Sequence, residues 1–150
     1  VTVAAVFTVG GCGAPSFEEM VPALAQPQTE QDQLPTGEGD GNIDVVEAES
    51  TRYLGGTQVA KYWVGLDGEE ICLVQSLRGT ETVGVSCADA EVFGESGVWV
   101  RTSSAEVSAT GLLVPERFDL ADVAVDEDWV RVSDNLAAPA EEGEAQASSG

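Results

Sequence analysis

The chain has 150 residues, is 43% hydrophobic, and carries 27 acidic against 6 basic side chains with no histidine, for a net charge of -21. That length allows one small domain with flanking segments. The charge argues against nucleic acid, which needs basic side chains against phosphate, and against electrostatic adsorption to an anionic bilayer. The acidity is uneven, with net charges of -9 over 13–50, -4 over 51–114 and -8 over 115–150, so acidic arms flank a nearly ordinary centre.

Residues 1–9 (VTVAAVFTV) are uncharged and apolar, the length of a signal-peptide apolar core and too short to span a bilayer as a helix. They run into Val9-Gly10-Gly11-Cys12. This resembles the bacterial lipobox, in which small residues admit the peptidase and the following cysteine thiol becomes a thioether to diacylglycerol. The resemblance implies lipidation at Cys12, a partial signal peptide over 1–11, and residence on the extracytoplasmic face of the bacterial cell membrane. The basic stretch that usually precedes the apolar core is missing from the sequence. A buried apolar strand with an incidental cysteine is the competing reading. With Cys12 lipidated, the remaining pair, Cys72 and Cys87, is even in number and suits an oxidising compartment.

Residues 12–48 are rich in Pro, Gln, Glu and Gly without sustained periodicity, and read as a flexible acidic tether with a reach of roughly 30–35 Å. Within it, Glu38, Asp40, Asn42 and Asp44 alternate as in a calcium loop, with Glu49 at the twelfth position. The turn glycine is misplaced and flanking helices are missing from the pattern, so a plain acidic linker is the simpler reading.

From residue 49 the pattern becomes strand-like, predicting a β-domain over 49–135. Runs at 51–54, 58–66, 70–77 and 82–87 are separated by Gly55-Gly56, Asp67-Gly68 and Gly79-Thr80, all hairpin turn chemistry. A two-residue loop on Gly79-Thr80 sets Arg78 against Glu81, Val74 against Val85 and Cys72 against Cys87, close enough for a disulfide. A loop on Asp67-Gly68 sets Val64 against Ile71, Tyr62 against Leu73, and Trp63 against Cys72, so that the indole covers the bridge. Residues 88–95 read as a helical turn or loop ended by Gly94, 98–102 and 105–114 as a further hairpin stopped by Pro115, and 128–132 as a last strand. From Asn135, and over 136–150, Ala, Glu and Ser predominate, and a disordered tail is predicted. The fold class is therefore mainly β: an antiparallel meander of about six to seven strands, as a small sheet, sandwich or open barrel, with one intra-sheet disulfide and disordered acidic arms.

Three segments, TRYLGGTQVAKYWVGLDGEEICLVQSL, SCADAEVFGESGVWVR and DWVRVSDNL, together resemble a group of short secreted or lipid-anchored actinobacterial proteins over residues 50–136. The resemblance implies the same compartment and disulfide and carries no catalytic residue.

Without histidine, Ser-His-Asp, Cys-His and histidine–metal sites are excluded. Nucleophile elbows and phosphate-binding glycine loops are not found in the sequence either, and no cofactor or metal is implied. Paired carboxylates, Glu69 or Glu70 with Glu81 or Glu106, would suit a small hydrolase acting on envelope material. Trp63, Trp99, Trp129, Tyr53, Tyr62 and Phe93 offer either a ligand platform or simple core packing. The preferred reading is a non-catalytic cell-surface module, held to the membrane by lipid, that binds an envelope component or protein partner through a sheet face or edge. A carboxylate hydrolase and a secreted inhibitor or scaffold are the alternatives.

Overall fold

The structure, a computed structural model, describes residues 15–34, 44–123 and 128–140. It contains two antiparallel four-stranded sheets. The first is ordered β1-β2-β3-β4, from β1 (Arg52–Gly56), β2 (Ala60–Asp67), β3 (Glu70–Leu77) and β4 (Val83–Asp89). The second is ordered β5-β6-β8-β7, from β5 (Val98–Ser103), β6 (Ser108–Leu113), β7 (Trp129–Ser133) and β8 (Leu136–Pro139). Eight strands thus replace the six to seven read from the sequence.

Alternation along the strands builds the core. Tyr62 and Val64 of β2 with Ile71, Leu73 and Leu77 of β3 share one buried cluster with Val98, Val100, Ala109, Leu113 and Leu136 of the second sheet. Each strand sends every second side chain inward, so both sheets present an apolar face to the same interior. At Gly111 a Cβ would overlap the Tyr62 ring, so only glycine lets the second sheet approach that phenol. Tyr62 in turn accepts from Gln75 Nε2 at 2.8 Å within the core.

The turns differ instructively from expectation. Between β2 and β3 the loop is Gly68-Glu69, with Asp67 opposite Glu70. Gly68 has φ 59° and no neighbouring residue has a positive φ, which suits a turn with glycine at its first central position. The loop therefore lies one residue later than predicted, and every partner moves by two: Tyr62 faces Gln75, Trp63 faces Val74 and Val64 faces Leu73. A shift of two leaves each side chain on its predicted face. Gly55-Gly56 does not turn the chain. It lies in β1 beside a bulge between Tyr53 and Gly55, and Thr57 closes the turn instead, its N–H donating to the Ala60 carbonyl at 2.8 Å.

The β3–β4 register is the predicted one, with Val74 opposite Val85 and Cys72 opposite Cys87. Its loop is longer, because Leu77 N–H donates to the Thr82 carbonyl at 3.0 Å and encloses four residues. That change moves the ladder phase by one, so the cysteines occupy a non-hydrogen-bonded pair, where strands lie closest; their Cα atoms are 4.0 Å apart. Arg78 does not pair with Glu81; its Nε donates to the Thr57 carbonyl at 2.8 Å.

A helix, α2 (Ala90–Ser96), joins the sheets. Asp89 caps it by accepting from Val92 N–H at 2.9 Å, and it ends at Gly97 (φ 74°) rather than at Gly94. Its Phe93 is fully buried.

Both arms depart from the sequence reading. Residues 15–34 pack on the domain rather than forming a free tether. Ser16 and Glu19 form a reciprocal capping box on a short helix, α1 (Phe17–Met20), and Met20, Val21 and Leu24 enter the main core. At the other end, Leu136–Pro139 is β8, buried along its length between β6 and β7, where a disordered tail was expected. Asn135 secures both ends: its Nδ2 donates to the carbonyls of Met20 at 2.9 Å and Val114 at 2.8 Å.

Candidate functional site

Cys12 lies outside the described residues, as do Glu38, Asp40 and Asn42 of the calcium-like stretch, while Asp44 and Glu49 are exposed on the surface. Cys72 and Cys87 form the predicted disulfide across neighbouring strands of one sheet. The bridge shares a cluster with Val46, Trp63, Val74 and Val83, with Leu34 and Tyr53 packed against it. Trp63 is nearly buried, donates Nε1–H to the Gln31 carbonyl at 3.1 Å, and meets Tyr53 edge to face at 5.4 Å. The outer face of the first sheet around Trp63 is therefore covered by Leu34 and the Gln31 backbone of the amino-terminal arm and by Val46.

A polar clasp holds that arm. Gln28 Nε2 donates to the Ala48 carbonyl at 2.9 Å and to Thr51 Oγ1 at 2.9 Å. Asp32 accepts from Tyr53 N–H at 2.8 Å, Thr29 N–H at 2.7 Å and Thr29 Oγ1–H at 3.0 Å. Burial by itself pushes the Asp32 carboxyl pKa upward. The bonds from Tyr53 and Thr29, with Arg52 nearby, outweigh burial and hold the pKa below its ordinary value of 3.8. A sequence signal for this packing existed in the Ser16-to-Glu19 capping-box spacing; nothing local marked Asp32 as buried.

The carboxylates considered for hydrolysis do not converge. Glu70 begins β3 next to Glu69 in the β2–β3 turn, whereas Glu81 lies in the loop at the far end of β3, and Glu69, Glu70, Glu81 and Glu106 are all exposed. Asp67, Glu70 and Cys87 bring one potential ligand atom each within 4.8 Å of one another. The Cys87 sulfur is committed to the disulfide and is no thiolate, so two surface carboxylates remain, too few to make a metal centre. A second acidic place, a groove of about 500 Å³ beside α2, is lined by Glu19, Glu91, Glu95 and Glu116 with Arg117.

Of the aromatics, Tyr62 and Phe93 are core, Trp63 and Tyr53 pack around the bridge, and Trp129 lies against Leu112, Val114 and Ala137 on the outer face of the second sheet. Trp99 alone among them is open, 57% exposed. It flanks a groove of about 690 Å³ between the edge strands β4 and β5, lined by residues 82–86 and 99–103. Arg101 is the single ionisable side chain in that lining. Its Nε donates to Thr110 Oγ1 at 3.1 Å, which orients the guanidinium along the outer face.

The two edges here are regular. β4 holds an unbroken register with β3, and β5 with β6, whereas the opposite edges β1 and β7 are each interrupted by a bulge. Bulges twist an edge away from further pairing, and an unbulged edge remains a template for it. No described helix is long and apolar enough to cross a membrane. Compared with known proteins, the chain matches no family model, no curated protein and no solved structure.

Proposed function

We propose that this chain is a lipid-anchored protein of the extracytoplasmic face of a bacterial membrane, whose β-domain is a non-catalytic binding module. The observation that carries the binding reading is the β4–β5 side, where two unbulged strand edges flank a groove beside an exposed tryptophan. Backbone edges supply affinity by strand addition and alternate side chains supply selectivity. The anchor rests on the lipobox-like Val9-Gly10-Gly11-Cys12 and on the pairing of the other two cysteines in a disulfide.

Because the described arm begins at Pro15, only Gly13 and Ala14 lie between it and Cys12, three residue steps or at most about 11 Å of chain. A lipid on Cys12 would therefore hold the domain close to the bilayer surface, not at the end of a long tether.

Intact mass of the chain expressed from its full precursor in a lipoprotein-competent bacterium tests the anchor. A mature protein beginning at Cys12 with added diacylglycerol, lost in Cys12→Ser, is the expected result; an unlipidated chain retaining residues 1–11 overturns it. Binding to isolated cell envelope tests the module. Loss in Trp99→Ser/Arg101→Glu with retention in Glu69→Gln/Glu70→Gln is expected, and the reverse pattern would favour the carboxylate hydrolase.

A further inference from the structure

The groove beside α2 forms where three segments distant in sequence meet: α1, α2 and the residues that follow β6. Packing beneath it fixes their relative positions. Phe17 of α1 meets the buried Phe93 of α2 edge to face, with ring centroids 6.4 Å apart. The Met20 carbonyl, at the end of α1, accepts from Glu116 N–H at 2.8 Å and from Asn135 Nδ2 at 2.9 Å. Gly94 lines the α2 side, and open space lies where its Cβ would stand. The groove, of about 500 Å³, falls within the size range of ligand sites.

Its lining has two parts. Pro15, Met20, Ala90 and Pro115 are apolar, whereas Glu19, Glu91, Glu95 and Glu116, all exposed, set four carboxylates against the one guanidinium of Arg117. The helix is weakened by this arrangement. Glu91 and Glu95 are like charges at i and i+4, which repel. Glu95 also lies in the last turn, where the helix macrodipole disfavours an anion, and no basic residue there offsets it. A cation held in the groove relieves both repulsions.

We propose that this groove docks a cationic amphipathic peptide segment. An apolar side chain of the peptide lies against Met20 and Pro115, and flanking Lys or Arg side chains lie among Glu91, Glu95 and Glu116. Charge complementarity argues for this occupant, locally at the groove and at long range, because a net charge of -21 steers cations toward the chain. The apolar lining selects a peptide over a bare metal ion or a polyamine, neither of which would remove that surface from water. Exposed ion pairs contribute little each, so the complex is weak and sensitive to salt. The groove is separate from the β4–β5 side, and its occupation requires neither the lipid nor the binding reading of that side.

Isothermal titration calorimetry of the full chain carrying Cys12→Ser, with the end-blocked peptide Lys-Lys-Leu-Phe-Lys-Lys as probe, tests it. Binding that weakens between ~0.05 and ~0.5 M salt is expected. Glu91→Gln/Glu95→Gln should weaken it about fivefold, and Gly94→Leu, which sets a side chain in the open space of the groove, should abolish it. Neither change lowers the unfolding midpoint, since the first removes a repulsion and the second replaces glycine in a helix. Arg117→Gly removes the opposing cation at φ 67°, where glycine is the favoured residue, and should tighten binding about twofold. Glu69→Gln/Glu70→Gln makes the same change in net charge at the β2–β3 turn and should leave affinity in place. No binding, or an equal loss in Glu69→Gln/Glu70→Gln, overturns the proposal. So does equal affinity for Lys-Lys-Gly-Gly-Lys-Lys, which would leave only a general attraction of cations to an acidic chain. A loss in Trp99→Ser would place the peptide on the β4–β5 side and overturn it as well.

Discussion

Replacing Asp32 by alanine isolates the clasp that binds the amino-terminal arm to the first sheet. The substitution removes one carboxylate that accepts three hydrogen bonds, from Tyr53 N–H, Thr29 N–H and Thr29 Oγ1–H. Thr29 is exposed and can turn to water, so its two donors contribute little to the loss. Tyr53 N–H is partly buried under the arm and is left without an acceptor, a cost of about 1–3 kcal/mol. The effect carries a pH signature. Because the folded Asp32 pKa lies below its ordinary value of 3.8, its contribution is fully present above the unfolded pKa and is lost as pH falls through the folded one. Urea unfolding of Asp32→Ala and the parent, from pH 7 down to about pH 2, should show a difference of about 1–3 kcal/mol at neutral pH that shrinks toward the acid end. Comparing the two proteins cancels the titration of carboxylates they share. A difference that stays constant across that range, or none at pH 7, would refute the assignment of Asp32 as an ionised clasp.

Removing the disulfide by Cys72→Ala/Cys87→Ala opens a loop with a sequence separation of 15, which in the chain-entropy model costs about 3 kcal/mol, read as a lower denaturant midpoint. Leu136→Ala truncates a fully buried side chain of the main core and should cost about 2–5 kcal/mol in the same assay; a free tail at that position would show no change. Gly111→Ala drives a methyl group into the Tyr62 ring, and about 1–3 kcal/mol of destabilisation is expected from overpacking, relieved in part by the companion change Tyr62→Leu. Asn135→Ala removes two buried donations and should lower stability by about 1–3 kcal/mol while hastening proteolysis of residues 15–34.

Period-two hydrophobicity and turn residues made β2, β3 and β4 legible, because a strand's faces and a hairpin's reversal depend on neighbours in the chain. The facing of Cys72 and Cys87 followed from the Gly79-Thr80 position, and it survived a change in loop length because the register did not move. The arms were misread for one physical reason. Leu136-Ala-Ala-Pro139 has little intrinsic strand preference, and becomes β8 only because the space between β6 and β7 accepts small buried side chains. Met20, Val21 and Leu24 sit among acidic residues and prolines, so composition hid three core residues whose partners lie on other elements. Asp32 looked like one more solvated charge until Thr29 and Tyr53 supplied its donors, and the sequence left Trp99 open between platform and core until the fold placed it, exposed, on the edge strand β5. What the sequence determined by itself was whatever local stereochemistry specifies: strands, turns, and the pairing within a hairpin. Which segments close the core was decided by contacts such as Asn135 with Met20, 115 residues apart, because burial is settled between surfaces that meet only once the chain has folded.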